Sequence, residues 1–162
     1  YIDVIRRTPS VLQLMIMWFI IFSNAKNGVL VAILSFGVNS GAYVAEIVRA
    51  GILAVDKGQI EAARSLGMSH FATTRLLVIP QAIKNILPAL CNEFIVTTKN
   101  TSMLSIIGIH DLMYNTDTIR GNTLLAFEPL IIAAVIYFTI SYVLSKLIGM
   151  LERRLRASDD RS

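Results

Sequence analysis

Charge in this sequence is gathered into islands, and the tracts between them are apolar for longer than a soluble core element needs. Charged residues cluster at Arg6 and Arg7, from Asp56 to Arg75, and after Glu152. Of the 162 residues 54% are hydrophobic and 16% charged, whereas about a quarter of a soluble domain is charged. A bilayer imposes this segregation, because its hydrocarbon layer excludes charge and each helical crossing needs roughly 20 apolar residues. Four segments fit: about 2–23, with its apolar part from Ser10 to Phe22, then 29–55, 76–109 and 124–148. Pro9 suits the first turn of the first segment, and Pro80 and Pro88 interrupt the third. The expected fold is an all-α, polytopic transmembrane helical bundle over residues 1–152, with a charged tail at 153–162.

Several classes of function lose support at once. The net charge of +4 could suggest nucleic acid, but the basic residues flank hydrophobic segments, which membrane orientation explains better. Cys91 is the single cysteine, so no intramolecular disulfide forms. His70 and His110 fall in different loops, and no metal or cofactor is expected. Neither His-Glu-x-x-His nor Gly-x-Ser-x-Gly occurs, so a membrane enzyme has no support. The chain starts at Tyr1, not Met, and its first ten residues are too polar for a signal peptide, so we read it as a fragment lacking an N-terminal piece.

Orientation follows from charge. With Arg6 and Arg7 in the cytoplasm, Arg49, Lys57, Arg64, Arg75, Lys146, Arg153, Arg154 and Arg156 fall on the same side. The opposite loops hold Lys26 and Arg120. Loop 56–75 and the C-terminus are therefore expected to be cytoplasmic.

That loop reads Gly58-Gln59-Ile60-Glu61-Ala62-Ala63-Arg64-Ser65-Leu66-Gly67-Met68-Ser69-His70. It predicts a short helix with Glu61 in the first turn, Gly67 as the left-handed residue that closes it, and Ser69 capping the next. Ala62 and Ala63 would present a nearly bare face, and Ile60, Ala63 and Leu66 a small apolar stripe. Such a knob is suited to a partner's groove.

Glu61-Ala62-Ala63, three residues, Gly67, nine residues, then Leu77-Val78-Ile79-Pro80 resembles the coupling-loop signature of ABC importer permeases. Arg6-Arg7-Thr8-Pro9, Asn39 through Arg49, Pro80-Gln81-Ala82, Asn92-Glu93 and Lys99-Asn100-Thr101-Ser102 are similar to the polar amino acid branch of that family. Arg7 and Cys91 depart from it, standing where glycine is usual. The resemblance covers nearly the whole chain and implies a type-1 importer transmembrane domain lacking its first helix. It implies the bacterial cytoplasmic membrane and a separate ATP-binding subunit docked on loop 58–80 through Glu61, Ala62, Ala63, Gly67, Leu77, Ile79 and Pro80. It also implies an extracytoplasmic solute-binding protein, a second permease copy or a sister permease, and an amino acid as substrate. The chain has no phosphate loop of its own, so hydrolysis is expected in the partner.

Polar residues within the crossings are costly and call for a reason. Glu46, Arg49, Asn92, Glu93, Lys99, Thr101 and Ser102 are the candidates for a substrate path, the carboxylates suiting an ammonium and Arg49, Lys99 or Asn92 a carboxylate. Glu46 with Arg49 reads equally as a structural pair between packed helices. A secondary carrier titrating Glu46 or Glu93 is the alternative, but it leaves the Glu-Ala-Ala loop without a purpose.

Overall fold

The computed structural model describes residues 1–159, and every regular element among them is helical. The first apolar segment is broken. Thr8 is extended, as a residue before proline must be, and Pro9 stands as the cap just outside the next helix, not in its first turn. Helix α1 (Ile2–Arg7) and helix α2 (Ser10–Ile16) therefore meet at an elbow. They also run in opposite directions along the long helix α3 (Gly28–Leu53). The Tyr1 hydroxyl reaches the Val38 carbonyl while Arg6 reaches Glu46, so α1 is parallel to α3. Gln13 meets Asn39, Leu14 packs with Ala32, and Trp18 lies against Gly28, so α2 is antiparallel to it. Residues 2–23 are thus not one straight crossing. Past Ile16 the helix widens into a π turn (Met17–Ile21), closed by the Phe22 N–H on the Met17 carbonyl.

Asn27 caps α3, its side chain accepting from the N–H groups of Val29 and Leu30. After α3 come the short helices α4 (Lys57–Ser65) and α5 (His70–Thr73). A second π turn (Thr74–Val78) leads into α6 (Ile79–Asn100), which tightens to a 3₁₀ stretch (Thr101–Ile107) and stops at left-handed Gly108. The polar stretch after Ile109 is itself helical: Asp111 caps α7 (Leu112–Thr123) by accepting from the Tyr114 N–H. Left-handed Leu124 ends α7, and the last helix, α8, begins at Glu128, followed by Pro129, later than the sequence pattern suggested. Its backbone stays helical to Asp159, through most of the stretch read as a tail.

α3 and α6 form the central pair, with α1 and α2 on one flank and α8 leaning on α6 and α7. Buried apolar side chains make two small clusters. Leu14, Ala32 and Ile107 join with Trp18 and Leu104 near the start of α3, and Val55, Val78 and Ala82 with Ile60 and Ile86 beyond its C-terminal end. Large apolar side chains stay exposed along α8 and α3, among them Ile131, Val135, Phe138, Ile33 and Leu34. A soluble protein does not leave such a band open to water. Helices Gly28–Leu53 and Glu128–Met150 are long and apolar enough to cross a bilayer, with mean hydropathies of 1.6 and 2.0. α6 is more polar because several of its side chains bond to neighbouring helices.

Candidate functional site

The knob between α3 and α6 is built by local bonds. The Asp56 carboxylate accepts from the Gly58 N–H at 2.6 Å and starts α4 one turn earlier than the sequence reading had it. Glu61 consequently lies in the second turn, where the helix dipole has largely faded. The end of α4 is a Schellman motif: Met68 N–H donates to the Ala63 carbonyl at 3.2 Å and Gly67 N–H to that of Arg64 at 3.0 Å. Gly67 has φ +85°, the left-handed conformation this closure needs. Ser69 then caps α5, its hydroxyl accepting from the Ala72 N–H.

Ile60 turns inward onto Val55, Val78 and Ala82, Ala63 is buried one turn further along α4, and Gln81 donates to the Gln59 side chain at 2.7 Å. These contacts root the knob on the C-terminal end of α3 and the N-terminal end of α6. Ala63 is buried at 6% exposure, so it shares no open face with Ala62, and Leu66 at 86% exposure is not part of an inward stripe. The outer surface is Glu61, Ala62 and Leu66. Leu77 packs against the cluster of Val55, Val78 and Ala82, and Ile79 and Pro80 are exposed just beyond the π turn. In that turn the Ile79 N–H donates to the Thr74 carbonyl, five residues back. The widening relieves the crowding that Pro80 would cause in an ordinary α turn.

A polar seam crosses between α3 and α6. The Ser40 hydroxyl lies 3.2 Å from Glu93 Oε1 and 2.9 Å from Thr97 Oγ1, and Thr97 donates to the same carboxylate oxygen at 3.3 Å. Ser40 and Thr97 are not among the substrate-path candidates, although Thr97 shares a face of the segment with Glu93 and Thr101. The spacing of Glu93 and Thr97, one helical turn apart, was the available signal. Beside the seam an open groove of about 470 Å³ is walled by Phe36, Gly37, Ser40, Thr97, Thr101 and Leu104. Asn92 and Lys99 are exposed, seven residues apart, on another face of α6, so Glu93 is not brought together with them. The Thr101 hydroxyl donates to the Thr98 carbonyl, and the Ser102 carbonyl accepts from Ser105.

Glu46 and Arg49 form a two-point pair: Arg49 Nε donates to Glu46 Oε2 at 2.9 Å, and Arg49 Nη2 meets Oε1. Arg6 joins the same carboxylate at 3.6 Å and lies over the Tyr43 ring. The group fastens α1 to α3, six positions along α3 from the Ser40 seam. Gln13, which the sequence reading passed over, bridges the elbow and α3 as well. A polar side chain inside an apolar segment was the clue to it.

This geometry defines a class: a helical membrane domain that carries a short, well-closed helix rooted between two long helices, α3 and α6. The family model described as the inner membrane component of binding-protein-dependent transport systems matches residues 1–157, and the chain belongs to that family. It is 41% identical over 162 residues to the arginine transport system permease protein ArtQ of Bacillus subtilis, covering 98% of this chain and 74% of that one. It is 36% identical to the glutamine transport system permease protein GlnP of Escherichia coli K12, covering 96% and 73%. A crystal structure of an amino acid ABC transporter with histidines superposes with a TM-score of 0.86 at 50% identity, over 95% of this chain and 73% of that one. An inward-facing methionine ABC transporter shares the fold, with a TM-score of 0.73 at 18% identity, over 94% and 71%.

Proposed function

We propose that the chain is the permease subunit of an importer that moves a polar amino acid across the bacterial cytoplasmic membrane, driven by ATP hydrolysis in a separate subunit. The observation that carries this reading is the α4 knob, closed at both ends, rooted on α3 and α6, with Glu61, Ala62 and Leu66 exposed on its far side. Arginine and glutamine in the names of its relatives support the polar amino acid as cargo.

In this mechanism a cleft of the ATP-binding subunit grips Glu61, Ala62 and Leu66, while Gly67 keeps the knob's end closed. When ATP draws two such subunits together, the knob moves with its cleft. Ile60, wedged against Val55, Val78 and Ala82, passes the movement to α3 and α6, with Ala63 buried beside it in α4. Leu77, Ile79 and Pro80 form the joint, where the π turn lets α6 pivot without opening unpaired backbone groups to lipid. A second permease copy or a sister permease completes the path, and an extracytoplasmic solute-binding protein delivers the amino acid to the outer end. The C-terminus lies in the cytoplasm. Residues 1–152 are the transmembrane domain and 153–162 the tail.

For the substrate, Glu93, held by Ser40 and Thr97 beside the groove, suits an ammonium group. Asn92, Lys99 and Ser102 offer donors to a carboxylate in the assembled path, and Thr101, whose hydroxyl hydrogen goes to the Thr98 carbonyl, contributes an acceptor to the groove wall. The bonds of Glu46 and Arg49 favour the fastening role over direct contact. The test is uptake of labelled amino acids into proteoliposomes holding the full-length permease, its ATP-binding subunit and its solute-binding protein. Accumulation that needs ATP and ignores a proton gradient supports the reading. Accumulation driven by a proton gradient without ATP would replace it with a secondary carrier.

A further inference from the structure

We propose that Gln13 is a positioning residue, a splint that closes the α1–α2 elbow and ties it through Asn39 to α3, so that these three segments move as one body. At the elbow α1 ends and its last carbonyls keep few main-chain donors, Ile5 having the Thr8 N–H at 3.4 Å. Three bonds take up the vacancy. The Thr8 hydroxyl donates to the Val4 carbonyl at 2.7 Å, and Gln13 Nε2 donates to the carbonyls of Ile5 at 2.7 Å and Thr8 at 3.0 Å. The same amide then accepts, through Oε1, from Asn39 Nδ2 at 3.0 Å. Asn39 is 6% exposed, so this bond lies inside the bundle, away from solvent.

Only glutamine meets all of these demands. Two amide hydrogens serve two carbonyls, and one oxygen serves a donor on another helix. Glutamate has the same shape but presents no hydrogens, and asparagine is one methylene short. Two further contacts act on the same segments: Leu14, fully buried, seats α2 beside Ala32, and Arg6 fastens α1 to Glu46. Because α3 ends at the root of the α4 knob, a displacement of the knob carries α1 and α2 with it.

The transport part of the test rests on the ATP-driven reading above, and the exchange part does not. Gln13→Met and Asn39→Leu would be made in the full-length permease, assembled with its ATP-binding subunit in nanodiscs or proteoliposomes. Hydrogen exchange of residues 5–13 is expected to quicken by roughly tenfold or more in Gln13→Met, which loses all three bonds of the Gln13 amide, with α6 unchanged. Asn39→Leu, which breaks only the tie to α3, should leave that exchange near the native rate. Both variants should lower amino acid transported per ATP hydrolysed by roughly five- to tenfold while ATP turnover continues, a ratio that mere loss of stable protein would not move. Unchanged exchange in Gln13→Met overturns the splint, whatever the uptake shows. Altered exchange with an unchanged transport-to-ATP ratio in both variants overturns the movement as one body. Should Gln13→Met fail to assemble, Asn39→Leu carries the same ratio test. Absence of ATP-dependent uptake by the wild type would count against the permease reading, with the exchange still deciding the splint.

Discussion

Replacing Gly51 by alanine would push a methyl group into the tightest approach of α3 to α6. A Cβ at Gly51 would lie 2.3 Å from Ile86 Cγ1, 3.1 Å from its Cδ1 and 3.3 Å from the Ala82 carbonyl oxygen. Cγ1 sits next to the main chain of α6, so relief requires a new rotamer or a shift of the helix by about 1 Å, and close-packed helices resist both. Overpacking of this kind costs about 1–3 kcal/mol, and the better helix propensity of alanine returns about 1 kcal/mol. The difference leaves the variant destabilised by up to about 2 kcal/mol. Thermal unfolding of the purified full-length complex should show a Tm lowered by several degrees, at roughly 2–4 °C per kcal/mol. Ile86→Ala removes both clashing carbons, so Gly51→Ala made in that background should be neutral or stabilising by about 1 kcal/mol. A Gly51→Ala variant more stable than the wild type with Ile86 intact, or one whose stability does not respond to Ile86→Ala, would refute the close contact and the packing argument built on it.

Three further outcomes follow from the same contacts. Gly67→Ala meets no neighbour within 4 Å but forces a left-handed alanine at about 1–2 kcal/mol, so trypsin should cut after Arg64 faster, and Gly67→Asn should show a smaller effect. Glu46→Gln removes the charge that holds Arg6 and Arg49, and tryptic cleavage after Arg6 and Arg7 should accelerate, with the difference shrinking in high salt. Glu93→Gln keeps an oxygen for Ser40 and Thr97 while removing the charge, so assembly should be native and amino acid uptake should fall by roughly tenfold or more.

The sequence yielded most where structure is decided by a few neighbouring residues. Gly67 and Ser69 closed and reopened helices as their chemistry required. Glu61 was misjudged by one turn because Asp56, a good cap just upstream, was read as part of a charged island. α7 went unrecognised because its composition is polar, although Asp111 stood ready as its cap. What stayed hidden was tertiary. Pro9 announced a break, but the reversal of α1 against α2 depends on Gln13 reaching back to Ile5 and across to Asn39, 26 positions away in sequence. The Glu93 seam likewise needs Ser40, 53 positions upstream, and only the register of α3 against α6 brings the two together. The inward turn of Ala63 and the outward turn of Leu66 follow from how α4 leans on Val55 and Val78, which no local pattern encodes.

The most direct test of the account is co-purification of the full-length permease with its ATP-binding subunit, comparing the wild type with Ala62→Arg. Ala62 is exposed on the outer side of α4, so arginine there disturbs no internal contact but blocks close approach of another protein. The account predicts a stable wild-type complex and loss of the ATP-binding subunit from a variant that still inserts and folds. Full recovery of the complex with Ala62→Arg would mean that the knob is not where the two subunits meet.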